Sequence, residues 1–431
     1  MNSKLLHIKT IKPFSVKKLF VFWFCGFLAL STFATHNRAG EITYVHISGL
    51  TYKIIVTTYT DPASIGADRC ELEIKIKSSS STYVDTIPRI NDGFFCVNCI
   101  HCGEQIAPNV KKNIYELEYT FPGPDSYIIS VEDPNRVTGV NNIPNSVNTP
   151  FYIESTLMID PFGGYNSSPV LLNSPIQDGC VKQPYQYSPL AVDTIDGDSL
   201  AYELAYCKGA GGQVIQGYTF PNETPSCPSG TITIDPLTGE LYWDSPQCVG
   251  LYNLCILIKE YRNGVLIGTV LRDMQITIYD CNNHPPEIDP MPEYCILAGD
   301  TVDFSFQAAD PDTQQTVTIS AYGDMFNYPN PPLFDSVPGN PATGHVYWET
   351  SCADVRASSH VMYFKAEDND FNYSLSDFKA LSVRVIAPAP DTISVKPQGN
   401  FIHVNWSKDY CSNASCYKIY RKADSLGYVP D

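Results

Sequence analysis

The sequence predicts an all-β protein built from antiparallel β-sandwiches in series. The chain has 431 residues, enough for several domains at roughly 100 to 200 residues each. Its 33 Pro, 27 Gly and 28 Tyr favour short strands and turns over long helices. Apolar and polar side chains alternate with a period of two in several segments. One pattern of Cys, Asp and Trp also occurs twice, which predicts two copies of one sandwich.

The first 34 residues have the organisation of an export signal. Five lysines precede an apolar run at 19–30, and the small residues Thr32 and Ala34 fit cleavage after Ala34. The alternative is a retained membrane anchor, but the run is too short to cross about 30 Å of hydrocarbon as a helix. We therefore expect an exported mature chain that begins at Thr35 and has no membrane span.

The mature chain is strongly acidic. Removing the five signal lysines leaves 23 basic against 46 acidic residues, a net charge of −23. Nucleic acid is therefore not an expected partner, because binding it requires an excess of basic side chains.

Fourteen cysteines remain after removal of Cys25 with the signal. An even number in an oxidising compartment favours disulfides. The alternative is a metal cluster at Cys96, Cys99, His101 and Cys102, since Cys-x-x-Cys spacing suits zinc. No second ligand pair follows nearby, so disulfides are the preferred interpretation.

Period-two alternation predicts half-buried antiparallel strands. It is clear at Leu72, Ile74 and Ile76, and again at 115–121. A third strand at 252–258 leads to Asn263-Gly264, which predicts a type I′ hairpin turn.

The internal repeat sets the predicted domain order. Ala191-Val192-Asp193 corresponds to Ala308-Ala309-Asp310, and Thr238-Gly239 with Trp243 corresponds to Thr343-Gly344 with Trp348. Polar or Pro-rich segments at 167–169 and 284–286 suit domain boundaries. The predicted units are a signal peptide (1–34), an N-terminal β domain (35–167), a first repeat (168–283), a second repeat (284–387) and an incomplete module (388–431).

Cysteines at equivalent positions of the two copies predict equivalent disulfides. Cys180 and Cys295 precede the acidic stretch of each copy, and Cys248 and Cys352 follow each Trp. This predicts the pairs Cys180–Cys248 and Cys295–Cys352, with Cys411–Cys416 closing a local loop, although spacing alone does not determine pairing.

Several segments resemble known families. The phrases at 193–202 (DTIDGDSLAY) and 234–243 (IDPLTGELYW) resemble cadherin-like, dystroglycan-type Ig-like domains of secreted surface proteins. The segments 35–42, 132–136 and 142–147 are similar to large extracellular, adhesin-like proteins associated with gliding motility in Bacteroidetes. These resemblances imply a secreted or cell-surface scaffold.

The C-terminal segment resembles the start of a fibronectin type III domain, with Trp406 as a core residue. Its 44 residues are fewer than the roughly 90 to 100 that such a sandwich needs. We expect a fragment of a longer protein; the alternative is an unfolded end that exposes strand edges.

A calcium site is predicted in the first repeat. Asp193, Asp196 and Asp198 surround Gly197, and calcium takes six to eight oxygen ligands, so Glu260 or Asp280 would add others. The cadherin resemblance implies that the ion would stiffen a domain junction. The alternative is ordinary solvated turn acids. That alternative is preferred for Asp310 and Asp312, because the second copy lacks the Gly-Asp element.

Catalysis has little support in the sequence, although acidic pairs could in principle serve a glycosidase if they faced each other about 5 to 9 Å apart. Common nucleophile, zinc and nucleotide motifs are missing, and the histidines are scattered. Trp243 and Trp348 suit core packing better than sugar stacking. Two functions remain: an adhesion or matrix scaffold with an unknown protein or polysaccharide ligand, and a carbohydrate-binding accessory region of a secreted degradative enzyme. Sequence downstream of Asp431 would distinguish them.

Overall fold

The computed structural model describes residues 37–63, 69–91, 102–407 and 411. The predicted signal at 1–34 lies outside these residues. In the described ranges the chain is all β apart from one-turn 3-10 helices, and none of its helices has the length and apolar character needed to cross a membrane. The 3-10 helices are Ser146–Asn148, Ala210–Gly212, Pro221–Glu223, Asp324–Asn327 and Cys352–Asp354.

The N-terminal region folds into long antiparallel strands around one apolar core. Leu72, Ile74 and Ile76 are buried while their neighbours are exposed, which confirms the predicted alternation. The strands are β1 (Asn37–Ser48), β2 (Thr51–Thr60), β3 (Glu71–Lys77), β4 (Thr82–Pro88), β5 (Glu104–Ala107), β6 (Val110–Thr120), β7 (Asp125–Asp133) and β8 (Phe151–Ile159).

The first repeat contains two long strands, and the second of them joins it to the N-terminal region. Its strands are β9 (Val170–Leu171), β10 (Ile176–Cys180), β11 (Tyr185–Tyr187), β12 (Ala191–Val192), β13 (Ser199–Ala205), β14 (Ile232–Ile234), β15 (Leu241–Trp243), β16 (Gly250–Arg262) and β17 (Val265–Tyr279).

Strand β17 holds the two parts of the chain in one sheet. Along one edge it pairs with β16, and along the other it meets β8, β1 and, in parallel, β10. The boundary predicted at 167–169 therefore separates two parts of the same hydrogen-bonded sheet.

The hairpin between β16 and β17 has the predicted turn. Asn263 and Gly264 both have positive φ, at 53° and 78°, as a type I′ turn requires.

The second repeat is a sandwich of two four-stranded sheets, β18-β20-β23-β22 and β19-β25-β24-β21. Its strands are β18 (Glu287–Ile288), β19 (Glu293–Leu297), β20 (Thr301–Ala309), β21 (Thr318–Tyr322), β22 (Leu333–Val337), β23 (Ala342–Glu349), β24 (His360–Glu367) and β25 (Ser376–Ile386).

The two copies share their strand pairing, which confirms the internal repeat. The parallel pair β10–β17 corresponds to β19–β25, and the antiparallel pairs β13–β16 and β11–β15 correspond to β21–β24 and β20–β23. This arrangement is the all-β sandwich organisation that the sequence predicted.

The repeated Thr-Gly…Trp element serves core packing. Trp243 and Trp348 are 1% and 0% exposed, as predicted. A Cβ on Gly239 would lie 2.8 Å from the ring of Tyr202, and one on Gly344 would lie 2.6 Å from Phe306. The glycines are therefore required because an aromatic ring packs directly against each backbone.

Two further strands, β26 (Ile393–Gln398) and β27 (Phe401–Trp406), form a hairpin. Trp406 is 39% exposed, so the core position implied by the fibronectin resemblance is not supported.

Candidate functional site

The disulfides predicted for the first repeat were wrong. Cys180 pairs with Cys281, and Cys248 pairs with Cys227. Strands β10 and β16 lie on opposite edges of β17, which places Cys180 and Cys248 about two strand spacings, or 9 to 10 Å, apart. A disulfide needs Cα atoms within about 7 Å. Cys281 is the second residue after β17 and meets this condition, with a Cα–Cα distance of 5.3 Å.

The other two predicted disulfides were also wrong. Cys352 pairs with Cys411, which excludes both Cys295–Cys352 and Cys411–Cys416. Cys295 is an exposed thiol on the outer face of β19, opposite Arg384 of β25. Cys416 lies outside the described residues.

Most cysteines in the described ranges nevertheless form disulfides. Cys70 and Cys102 are both disulfide-bonded, in addition to the three pairs above. Cys102 is therefore not available as a thiolate ligand for the alternative metal cluster. The other members of that cluster, Cys96, Cys99 and His101, lie outside the described residues.

The acidic loop of the first repeat is organised by Asp193. Its carboxylate accepts hydrogen bonds from the backbone N–H groups of Ile195, Asp196 and Asp198, at 3.3, 3.1 and 2.5 Å. Gly197 provides the positive φ of 70° that the turn requires. Burial raises the pKa of Asp193 above its ordinary value.

Glu260 approaches the loop from β16 and is 1% exposed. The amide Nδ2 of Asn166 donates to its Oε2 at 2.5 Å, while its Oε1 has no hydrogen-bond partner among the described residues. Burial, opposed by the Asn166 bond and reinforced by the nearby aspartates, raises the pKa of Glu260 to about 9. An unpartnered buried oxygen of this kind is unfavourable unless a proton or a cation binds it.

Arg262 is the basic residue of the cluster. Its Nε and Nη2 donate to the two oxygens of Asp198 at 2.9 and 2.5 Å, and Nη2 lies 3.7 Å from Asp196. Asp196 also accepts a hydrogen bond of 2.6 Å from the backbone N–H of Ser167.

The structure brings together only part of the predicted calcium ligand set. One oxygen each from Asp193, Asp198 and Glu260 lie within 4.8 Å of one another. Asp196 is held beside this group by Ser167 and Arg262. Asp280 lies elsewhere, in a groove of about 590 Å³ where the two repeats meet. Sequence reasoning missed Asn166 and Arg262, because neither belongs to the acidic phrase.

The equivalent acidic residues of the second repeat, Asp310 and Asp312, stabilise a turn by accepting backbone hydrogen bonds. Asp310 accepts the backbone N–H of Asp312 at 2.7 Å, and Asp312 accepts the N–H of His284 at 2.9 Å. Burial raises the pKa of Asp310 to about 6.

A second feature is a buried polar seam, formed by Glu41, Arg136, Asn142, Asn253, Arg272 and Asp273. Arg136 and Asp273 form an ion pair of 2.6 Å and both are 0% exposed. Burial opposes the charge on Arg136, but the adjacent carboxylate keeps the pKa of the guanidinium above its ordinary value.

The seam joins the N-terminal region to the first repeat. Asn253 on β16 donates to Asp273 at 2.9 Å, and its backbone N–H donates to Asn142 at 3.0 Å. Arg272 on β17 donates to Glu41 at 3.0 Å and to the hydroxyl of Tyr187 at 2.6 Å. The N-terminal segments noted for their family resemblance supply Glu41, Arg136 and Asn142, so these residues have a structural role here.

The two repeats meet through a third feature, an apolar junction. Leu190 and Val192 of the first repeat pack with Tyr363 and Phe378 of the second, and all four side chains are buried. The hydroxyls of Tyr202 and Tyr363 are 3.2 Å apart across this junction.

Comparisons with known proteins gave structural similarities with low TM-scores, three of which follow. No protein-family profile and no curated protein matches the chain. Tandem Ig repeats of Dlar are 16% identical, with 51% of this chain and 97% of that chain covered and a TM-score of 0.21. Drosophila N-cadherin EC1-4 is 12% identical, covering 76% and 70%, with a TM-score of 0.20. Zebrafish RET cadherin-like domains 1 to 4 are 11% identical, covering 82% and 73%, with a TM-score of 0.17. TM-scores of this size do not establish a common overall arrangement, so the fold assignment rests on the strand pairings above.

Proposed function

We propose that this chain is an exported, non-catalytic scaffold of the cell surface or matrix, with a role in adhesion and a link to gliding motility. The observation that carries the proposal is the continuous sheet through β17, which fixes the N-terminal region against the first repeat. Consecutive domains usually move relative to each other unless a large apolar interface joins them. Here the polar seam and the apolar junction oppose such motion, as a scaffold that presents a ligand in a fixed orientation requires.

The competing proposal is a carbohydrate-binding accessory region of a degradative enzyme. The scaffold proposal expects that cells lacking the gene for this chain attach less to solid surfaces, and that re-expression of the full chain restores attachment. Polysaccharide hydrolysis by these cells should be unchanged. Unchanged attachment, together with retention of the purified chain by polysaccharide in affinity electrophoresis, would contradict the scaffold and support the accessory region.

We further propose that Asp193, Asp198 and Glu260 hold a structural calcium ion. The donor set is all oxygen, as calcium requires, and the buried Oε1 of Glu260 has no hydrogen-bond partner among the described residues. Calcium would supply positive charge and fix the 193–198 loop to β16. The alternative is that Arg262 and a proton on Glu260 already neutralise the cluster.

Calcium affinity should rise with pH. Because the pKa of Glu260 is about 9, its carboxyl holds a proton at pH 7 that calcium must displace. The affinity should therefore increase about tenfold per pH unit between pH 7 and 9. Calorimetry of the exported chain at several pH values would measure this, with proton release obtained from the dependence of the heat on the buffer.

Glu260→Gln should weaken binding and abolish its pH dependence. The matched control is Glu203→Gln on the neighbouring strand β13, where the carboxylate is exposed and pairs with Lys259, and this variant should bind like the parent. Absence of any calcium heat, or an unchanged melting temperature between calcium and chelator, would reject the site.

A further inference from the structure

Two buried thiols lie beneath the polar seam. Cys255 lies on β16 opposite Ala205, the last residue of β13, and Cys207 follows two residues later. Both side chains are 0% exposed. They belong to an apolar cluster with Val137, Val140, Ile143, Ile215, Tyr218 and Leu271, which come from both the N-terminal region and the first repeat.

The distance between the two sulfur atoms is too short for separate thiols. The Sγ atoms are 2.7 Å apart. Non-bonded carbon atoms in contact lie about 3.5 to 4.0 Å apart, and a sulfur atom is larger than a carbon atom. Their separation lies between that range and the roughly 2.05 Å of a covalent disulfide.

A metal site fits these residues poorly. Asp273 lies near both sulfurs, but its Oδ1 accepts from Asn253 and its Oδ2 from Arg136. Two thiolates on one tetrahedral zinc, at about 2.3 Å each, would be about 3.8 Å apart. The two sulfurs here are closer than that.

We propose that Cys207 and Cys255 form a disulfide in the exported protein, as a covalent link beneath the seam. One thiolate attacks the disulfide of an exported thiol–disulfide oxidoreductase, and the second thiolate then displaces that enzyme from the mixed disulfide. The S–S bond forms, two electrons reduce the oxidoreductase, and its two sulfurs take up, through solvent, the two protons that the cysteine thiols release to give its dithiol.

The bond forms before the seam closes. Burial raises the pKa of the Cys255 thiol well above its ordinary value, which disfavours the reactive thiolate in the folded chain. The same burial then keeps reductants away from the finished bond.

Peptide mapping of the exported chain tests the proposal. The protein is unfolded without reductant in the presence of an alkylating agent, digested and analysed by mass spectrometry. The peptides that contain Cys207 and Cys255 should appear joined and lighter than the two thiol peptides by two hydrogen atoms. Cys295, an exposed thiol, should be alkylated. Alkylation of both Cys207 and Cys255, or stoichiometric zinc lost on their replacement, would overturn the proposal.

Variants distinguish a covalent link from simple packing. Cys207→Ala and Cys255→Ala should each lower the melting temperature by about 5 to 10 °C, and the double variant should lose no more than either one. Cys295→Ala is the control and should leave the melting temperature unchanged. Additive losses from the two single variants would indicate independent packing and contradict the link.

Discussion

Replacing Asp273 by Ala is expected to lower the free energy of unfolding by about 3 to 5 kcal/mol. Asp273 and Arg136 are fully buried and 2.6 Å apart, and Asp273 also accepts from Asn253. Removing the carboxylate leaves the guanidinium of Arg136 charged in an apolar environment. Its remaining favourable contacts include the Phe151 ring, 5.1 Å away, and the carbonyl of Lys208.

Urea unfolding would measure this loss of free energy, with hydrogen exchange of peptides from β16 and β17 as the readout. The control is Glu203→Ala, which removes a carboxylate from an exposed pair on neighbouring strands and should cost less than about 1 kcal/mol. Arg136→Met combined with Asp273→Leu should recover most of the loss, because buried ion pairs are often replaceable by apolar side chains. Equal, small losses for Asp273→Ala and Glu203→Ala would show that the seam is not desolvated.

The strands could be predicted because each carries its own local pattern. In β16 the apolar positions Tyr252, Leu254, Ile256 and Ile258 are buried as the alternation requires. The opposite face differs from the prediction, since Asn253 and Cys255 are also buried. Polar side chains in an alternating strand predict a solvent-facing surface. Here a second layer from the N-terminal region covers that face.

Long-range partners could not be read from the same pattern. Cys180 precedes the acidic stretch as Cys295 does, yet Cys180 pairs with Cys281 and Cys295 is a thiol. The second repeat has Arg384 beside Cys295 on β25 and no cysteine there. Pairing is decided by strand neighbours in three dimensions, and repeat equivalence does not determine these.

Only part of the acidic cluster was predicted, because some of its residues come from distant segments of the chain. Asp193 and Asp198 lie in one short phrase, and Glu260 was named only as one of two possible sources of further oxygens, with Asp280 as the other. Asn166 and Arg262 reach the same site from a linker and from the end of β16. Neither residue has a local signature that links it to the phrase.

Replacing Phe378 by Ala is expected to loosen the junction between the repeats and to cost about 3 to 5 kcal/mol. Phe378 is 2% exposed and packs with Leu190, Val192 and Tyr363, so its ring belongs to the contact between the two sandwiches. Loss of this ring weakens the apolar contact, and the remaining contacts, including the Tyr202–Tyr363 hydroxyl pair, then hold the repeats less firmly. The scaffold proposal requires that orientation to be fixed.

Small-angle scattering of the purified chain and proteolysis at residues 280–286 would detect the change, as a larger radius of gyration and faster cleavage. The control is Phe364→Ala, which removes a buried ring of the same size from the core of the second repeat. It should destabilise that repeat by a similar amount but leave the scattering of the folded chain unchanged. Parent-like scattering and cleavage for Phe378→Ala would show that the apolar junction does not hold the two sandwiches together. If it did, loss of this ring would increase the motion between the two sandwiches.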